Sequence, residues 1–214
     1  LGLEQTDLNK FSVLERDGSR FLAKGFDTLL DVKKLKVKGE HNQSNVLAAM
    51  ALASSVGIPV RAMLDAIKEF RGLSHRCQHI RALGGVDYIN DSKGTNPGAV
   101  VTAINSLGKD SVGKLILIAG GDSKGADFST LAPALSQYCK LVILFGRDAK
   151  KIGNDTELVI ESEYVNSLEE SVSLAHNRAQ EGDVVLLSPG CASFDMFKNY
   201  EQRGEIFEQV VDGL

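Results

Sequence analysis

The sequence predicts an α/β protein whose larger, C-terminal part is a mainly parallel sheet with helices on both faces. Three apolar runs support this: Leu115-Ile116-Leu117-Ile118-Ala119, Leu141-Val142-Ile143-Leu144-Phe145 and Val184-Val185-Leu186-Leu187. Each has the length of a strand and no polar alternation, as expected for strands covered on both faces. Helical stretches separate them, giving a repeated β-loop-α rhythm. Polar, mostly glycine-bearing loops follow the strands at one edge: Asp91-Ser92-Lys93, Gly120-Gly121-Asp122-Ser123-Lys124-Gly125, Gly146-Arg147-Asp148 and Ser188-Pro189-Gly190-Cys191-Ala192-Ser193. An open α/β sheet binds its ligands at that edge.

The N-terminal stretch differs. Residues 11–16 and 20–24 flank Asp17-Gly18-Ser19, a short-hairpin signal, and residues 28–32 and 35–38 are expected to continue as short strands with an exposed lysine face. Gly39-Glu40-His41-Asn42-Gln43-Ser44-Asn45 leads into an alanine-rich helix over 46–53 that ends near Gly57. Pro59 opens the next helix, with Met63, Leu64, Ile67 and Phe70 as its apolar stripe and Gly72 as its stop. Asn42 and Asn45 are three apart and share a helix side, so they either cap the helix or direct two amides at one ligand. The rhythm changes after Leu73-Ser74-His75-Arg76, which predicts two domains, 1–72 and 73–214.

In the second part, residues 86–89 read as a strand and 99–107 as a helix, with Thr95 or Asn96 as N-cap and Pro97 near its first position. Helical stretches are expected over 130–139, 149–153, 165–179 and 194–199, and a short strand over 158–160. The last helix is expected over 204–211, burying Ile206, Phe207, Val210 and Val211.

Composition limits the functions open to the chain. Its 214 residues are 43% hydrophobic, enough for sizeable cores, and the net charge of -4 offers no global field for nucleic acid. The 3 cysteines lack paired spacing and suggest neither a disulfide framework nor a zinc site, which fits a reducing cytosol. No apolar run reaches membrane-spanning length. The opening Leu1-Gly2-Leu3-Glu4 has no initiator Met, and the chain is expected to be a piece of a longer protein. Tryptophan is absent, which argues against a stacking platform for sugars or single-stranded nucleic acid.

The chemistry centres on Asn90-Asp91-Ser92-Lys93-Gly94-Thr95-Asn96-Pro97-Gly98, a strand-loop-helix junction whose free backbone N–H groups favour phosphate or carboxylate. Lys93 adds positive charge, and Asp91 is placed to hold that lysine, a metal-bound water or a substrate amine. The loop at Gly120 to Gly125 can turn N–H groups inward around an anion beside Lys124. Neither a Gly-x-x-x-x-Gly-Lys-Ser/Thr phosphate loop nor a Gly-x-Gly-x-x-Gly dinucleotide fingerprint occurs, so a Rossmann-like sheet is expected without a nicotinamide dehydrogenase. No cue links a histidine to Ser188 or Cys191 as a hydrolytic triad, and Cys191 reads as a packed small residue. Ser193 is either a helix cap or a hydroxyl that holds a carboxylate. Arg76 is either a clamp for phosphate or base, or part of an interdomain salt bridge. These residues describe a site for anionic, plausibly phosphorylated substrates, lacking a complete nucleotide-binding machine.

Five motifs carry a family resemblance: Lys38-Gly39-Glu40-His41-Asn42-Gln43-Ser44-Asn45-Val46-Leu47-Ala48-Ala49, Leu73-Ser74-His75-Arg76, Asn90 to Pro97, Gly120 to Phe128, and Leu187 through Gly204, which contains Asn199-Tyr200-Glu201-Gln202-Arg203. In this order they resemble the Mur ligase family, which also includes folylpolyglutamate synthases. The last motif is similar to the branch that adds D-glutamate, and the Asp-Asn-Pro-Arg motif of the diaminopimelate- or lysine-adding siblings is absent.

The resemblance implies that 1–72 is the end of a central ATP-binding domain and that 73–214 is a C-terminal, amino-acid-binding, Rossmann-like domain. A UDP-binding domain, a phosphate loop and the Mg2+ ligands are implied to lie upstream, so the piece alone is expected to be inactive. The implied reaction is ATP-dependent amide formation, in which the carboxylate of UDP-N-acetylmuramoyl-L-alanine is phosphorylated and the D-glutamate amine attacks the acyl phosphate. By the same resemblance Asn42, Asn45, Arg76, Asp91 and Lys93 bind ATP, with Arg76 and Lys93 catalytic at the phosphates. Thr95, Lys124 and Ser193 are implied to hold the D-glutamate carboxylates, with Phe194 and Tyr200 lining that pocket. Phe194 stands where the family form has a leucine, and Tyr200 where it has a phenylalanine, which leaves the pocket shape open. A cytoplasmic monomer with no nucleic-acid or membrane partner is expected. The alternatives are a sibling ligase, a folylpolyglutamate synthase, or a noncatalytic nucleotide- or amino-acid-binding module.

Overall fold

The computed structural model describes residues 10–37, 39–70, 72–157 and 159–214, apart from the side chain of His41. The chain divides into two compact units, one ending at Gly72 and the other spanning Leu73–Leu214. In the first, β1 (Phe11–Arg16), β2 (Ser19–Lys24) and β3 (Asp27–Asp31) form an antiparallel sheet in that order. Phe11, Val13, Leu22 and Leu30 from the sheet pack with Val46, Leu47 and Met50 of α1 (Glu40–Ser55) and Met63 of α2 (Val60–Glu69).

The strand expected over 35–38 does not form. Asp31 accepts a 2.8 Å hydrogen bond from the Lys33 N–H and turns Val32–Lys34 into a 3-10 helix, after which Leu35 is drawn into the core. Lys38 lies outside the described residues.

The second unit is built on a six-stranded sheet ordered β4-β5-β9-β6-β7-β8. Its strands are β4 (Gln78–Leu83), β5 (Val86–Asn90), β6 (Leu115–Gly120), β7 (Cys139–Phe145), β8 (Glu161–Tyr164) and β9 (Val184–Leu187). Only β4 runs antiparallel. It was not expected from the sequence, although Gly84-Gly85 at φ 57° and 77° makes the two-residue turn that right-twisted strands favour.

Alternating strand residues fill two cores. Leu115, Leu117, Val142, Leu144, Val184 and Leu186 face α3 (Pro97–Asp110), α4 (Ala132–Tyr138) and α5 (Ala149–Asp155). Ile116, Ile118, Ile143, Val185 and Leu187 face α6 (Leu168–Arg178) and α7 (Tyr200–Asp212). The continuous apolar runs thus reflect burial on both sides, as expected. Among the described residues no helix is long and apolar enough to cross a membrane.

Two expected elements are displaced. The strand expected over 158–160 forms instead as β8, Glu161–Tyr164, parallel to β7; Leu158 lies outside the described residues. Residues 194–199 form turns rather than a helix, because Asp195 accepts from the Arg147 N–H at 2.9 Å and Asn199 caps α7 by accepting from Gln202 N–H at 2.8 Å. The last helix therefore starts at Tyr200 and not at Gly204.

Phe207 is fully buried between α7 and the sheet, whereas Val112 is 98% exposed in a loop. Phe207→Ala is expected to destabilise the protein by about 3–5 kcal/mol and Val112→Ala by less than about 0.5 kcal/mol. Urea unfolding of both variants checks this, and equal effects would contradict the packing described.

Candidate functional site

Strand order brings the loops of the carboxyl edge together. Because β9 lies between β5 and β6, the loop carrying Ser193 lies between the loops carrying Lys93 and Lys124. After β6 the chain crosses to the α4 face and after β9 to the α7 face, so the gap between them is a topological switch point. The two loops close on each other there. Asp122 and Ala192 exchange backbone hydrogen bonds of 2.9 Å in each direction, and Gly120 N–H donates to Pro189 at 3.0 Å. Gly120 has φ 141°, and a Cβ there would lie 1.8 Å from the Phe145 carbonyl oxygen, so only glycine lets β6 leave the sheet this way.

Asn90 ends β5 with its side chain fully buried. Its Oδ1 accepts from Ser92 N–H at 3.0 Å, while Nδ2 reaches Glu208 Oε1 at 2.8 Å, His75 Nδ1 at 3.0 Å and the Gly204 carbonyl at 3.1 Å. The next residue, Asp91, is turned inward. Its Oδ2 accepts from Ser188 Oγ at 2.7 Å and Oδ1 from Cys77 N–H at 3.1 Å. Burial raises the Asp91 carboxyl above its ordinary range, against the opposing pull of those hydrogen bonds and of the nearby Arg76 charge.

Asp91 is not what holds Lys93. The Lys93 ammonium donates to the Tyr200 hydroxyl at 2.9 Å and lies 4.5 Å from the centre of its ring.

Arg203 joins the β5 and β9 loops. Its side chain is completely buried, donating through Nε to Ser92 Oγ at 3.0 Å, through Nη2 to the Ser92 carbonyl at 2.7 Å and through Nη1 to the Cys191 carbonyl at 3.2 Å. Burial pulls its pKa down to about 10, which leaves the guanidinium charged near neutrality. Ser92 Oγ passes its own proton to the Tyr200 carbonyl at 2.8 Å, so the start of α7 is part of the same assembly.

The β6 loop is organised separately. Asp122 Oδ1 accepts from Lys124 N–H and its Oδ2 from Arg147 Nη1, both at 3.0 Å, while Asp148 accepts from Ser123 N–H at 2.7 Å. The Lys124 ammonium stands 5.7 Å from the centre of the exposed Phe194 ring. Ser193 is buried, and its carbonyl accepts from Phe197 N–H at 2.8 Å. Thr95 and Arg76 are exposed. Asn96, not Thr95, caps α3, accepting from Ala99 N–H at 3.0 Å with Pro97 at the first helical position.

Asn42 and Asn45 lie near the start of α1 in the first unit. A cleft of about 330 Å³ opens further along the same edge, lined by Gly146, Arg147, Val165, Asn166, Asp195 and Met196. None of the expected site residues lines it.

A protein-family model described as "Mur ligase, glutamate ligase domain" matches residues 75–191, more than half of the chain. The chain belongs to the Mur ligase family. Among similar proteins, the UDP-N-acetylmuramoylalanine–D-glutamate ligase of Pseudomonas fluorescens is 52% identical over 100% of this chain and 48% of its own length. That of Marinobacter nauticus is 49% identical with the same coverage. The chain thus spans about half the length of the curated relatives it matches. Among solved structures, UDP-N-acetylmuramate–alanine ligase from Thermotoga maritima superposes with a TM-score of 0.64 at 22% identity, over 91% of this chain and 43% of its own. Escherichia coli FolC, in complex with DHPP and ADP, gives 0.67 at 18% identity, over 95% and 46%. These two likenesses establish the Mur ligase fold alone.

Sequence reading passed over the roles of Asn90, Ser92, Ser188 and Arg203. For Arg203 a signal was available: it stands four and eight residues before Phe207 and Val211, on the buried stripe of α7. An arginine on such a stripe needs buried acceptors.

The raised pKa of Asp91 means that the folded protein binds its proton more tightly than the unfolded chain does. Ionised Asp91 therefore costs stability as pH rises from the ordinary carboxylate range through the folded pKa. Asp91→Asn, which keeps the shape and can meet Cys77 and Ser188, is expected to gain stability relative to the parent over that interval. Unfolding free energies of both proteins against pH check this. A variant growing relatively less stable as pH rises would refute it.

Proposed function

We propose that this chain is the C-terminal half of an ATP-dependent amide ligase that joins D-glutamate to UDP-N-acetylmuramoyl-L-alanine during peptidoglycan precursor synthesis in the cytoplasm. Family membership and about half identity along the whole chain to ligases bearing that name support the reading. The observation that carries it is the three-loop edge, in which Ser193 stands on the loop between those of Lys93 and Lys124. On this reading, residues 1–72 finish the central ATP-binding domain and 73–214 present the amino acid.

The residues at the edge suit two anionic substrates. Lys124 is exposed, and a single ring face leaves its ammonium N–H groups available to a carboxylate. Ser193 and Thr95 add hydroxyls, and Phe194 gives an apolar wall. Phe194 and Tyr200 each also stand beside a lysine ammonium, which lies 5.7 Å and 4.5 Å from the respective ring centres.

ATP fits the cation set on the β5 side, where Lys93 and the exposed Arg76 can take phosphate oxygens. Asp91, turned inward, fixes the loop beneath them; Asn42 and Asn45, in the first unit, keep the nucleotide role that the resemblance implies. When bound, ATP supplies the phosphoryl group that activates the acyl carboxylate. Lys93 and Arg76 balance the charge this develops, and the Lys124 side holds the amino acid so that its amine is aimed at the activated carbonyl. The resemblance assigns Mg2+ to ligands upstream of this piece; among the described residues no group of three or more His, Cys, Asp or Glu side chains converges as a metal site.

Phosphate release by the full-length protein, given ATP, UDP-N-acetylmuramoyl-L-alanine and one amino acid at a time, tests the proposal. D-glutamate is expected to be the amino acid that supports turnover. Folded enzyme that is inactive with it, or that uses another amino acid instead, would reject the assignment.

The two cation sites should separate kinetically. In the full-length enzyme Lys124→Ala is expected to raise KM for D-glutamate by roughly 10- to 150-fold, the equivalent of a charge-assisted hydrogen bond. Arg76→Ala is expected to act mainly on ATP. Titrating each substrate separately reads the split, and reversed effects would overturn the two roles.

A further inference from the structure

The resemblance gives position 200 to the lining of an amino-acid pocket, filled by phenylalanine in the family form. In this chain it is a tyrosine, and its hydroxyl has a different occupation. It accepts from the Lys93 ammonium at 2.9 Å while the ammonium stands 4.5 Å from the ring centre, so one side chain holds the charge by a hydrogen bond and by its π-face together.

The surroundings keep this contact in register. Tyr200 is the first residue of α7, its carbonyl accepts from Ser92 Oγ at 2.8 Å, and its ring meets His75 edge-on at 6.1 Å. Lys93 follows Ser92 directly, and its N–H donates to the His75 carbonyl at 3.0 Å. The two ends of the Lys93–Tyr200 contact are thus anchored to the same small assembly before their side chains meet.

We propose that Tyr200 is a positioning residue for Lys93 that holds the ammonium ready for a phosphate-bearing ligand instead of lining the amino-acid pocket. The proposal rests on the assignment of Lys93 to the phosphate side. An ammonium has three N–H donors. With one committed to Tyr200, two remain for phosphate oxygens, and the rotamer freedom of a long side chain is given up before binding and not during it.

The test uses the full-length protein and one mild variant. Tyr200→Phe keeps the ring and removes the hydroxyl that accepts from Lys93. Acetylation by a limiting amine-reactive ester, read residue by residue by mass spectrometry, reports how firmly the Lys93 amine is held without any ligand present. The variant is expected to raise the labelling rate of Lys93 by about 3- to 10-fold, with other lysines in the same sample unchanged, and to raise KM for ATP by a similar factor, while KM for D-glutamate stays within about twofold.

Unchanged Lys93 labelling in Tyr200→Phe would overturn the positioning role. So would an effect confined to KM for D-glutamate, which would return the residue to the amino-acid pocket. Lys93→Ala separates the underlying assignment: if that variant leaves KM for ATP untouched while Tyr200→Phe still frees the Lys93 amine, the positioning role stands and the phosphate role of Lys93 falls.

Discussion

Arg203 carries its charge into a place closed to solvent, and the loops at the carboxyl edge depend on it. A buried guanidinium loses several kcal/mol of hydration, and a fork of carbonyl and hydroxyl acceptors restores only part of that. What the arrangement gives in return is geometric. Three donors fixed in one plane bind Ser92 twice and Cys191 once, so the loops following β5 and β9 cannot slide independently. Lys93 is the residue after Ser92, and Ser193 lies two beyond Cys191. Both inherit their positions from one side chain that has no need to touch a substrate.

The order of the strands decides which loops can cooperate. β5 and β6 are consecutive in the parallel sheet but not adjacent, because α3 carries the chain over the place that β9 later fills. The last strand inserted therefore supplies the central loop, and it is fastened on both sides. Gly190 N–H donates to the Gly94 carbonyl at 2.8 Å on the β5 side, and the Asp122–Ala192 bridge fastens the β6 side. Backbone bonds of this kind set loop height and spacing, while the exposed Lys124 is left to solvent and ligand. In the proposed reaction that division is useful, since two anions must be drawn to one edge without the edge rearranging to receive them.

Much of this was legible in the sequence, and the limits have physical causes. Continuous apolar runs announced β6, β7 and β9 because burial on both faces forbids polar alternation, and Thr95-Asn96-Pro97 announced the start of α3, though not which of Thr95 and Asn96 caps it, because cap and ring act locally. β4 was not announced. Gln78 to Leu83 is a half-covered edge strand with His79 and Arg81 along it, and only its Gly84-Gly85 turn marked it. The stretch over 194–199 looked helical by composition, but its conformation is set by Asp195 reaching Arg147, a contact 48 residues away in sequence. The site divides in the same way. Lysines and hydroxyls on loops could be named in advance, whereas the partners of Asp91 and Arg203 depend on which strands become neighbours, information that no local window contains.

Two opposite charges lie under this edge without a direct bond between them. Asp91 holds the start of β4 through Cys77 and the end of β9 through Ser188, while Arg203 holds Ser92 and Cys191. Asp91 and Asp195 are close enough to favour the charged form of Arg203, yet none of its hydrogen bonds goes to a carboxylate. A direct ion pair would have neutralised the two groups in one contact and tied only two segments. Separated, Asp91 still favours the charged form of Arg203 through the low-dielectric interior, and the two spend their hydrogen bonds on three segments: the lead into β4, the β5 loop and the β9 loop. The base is cross-braced by groups that cannot be swapped for apolar ones without orphaning buried donors and acceptors. That firmness below lets Lys124 and Arg76 remain exposed above it while the half-buried Lys93 is held against Tyr200.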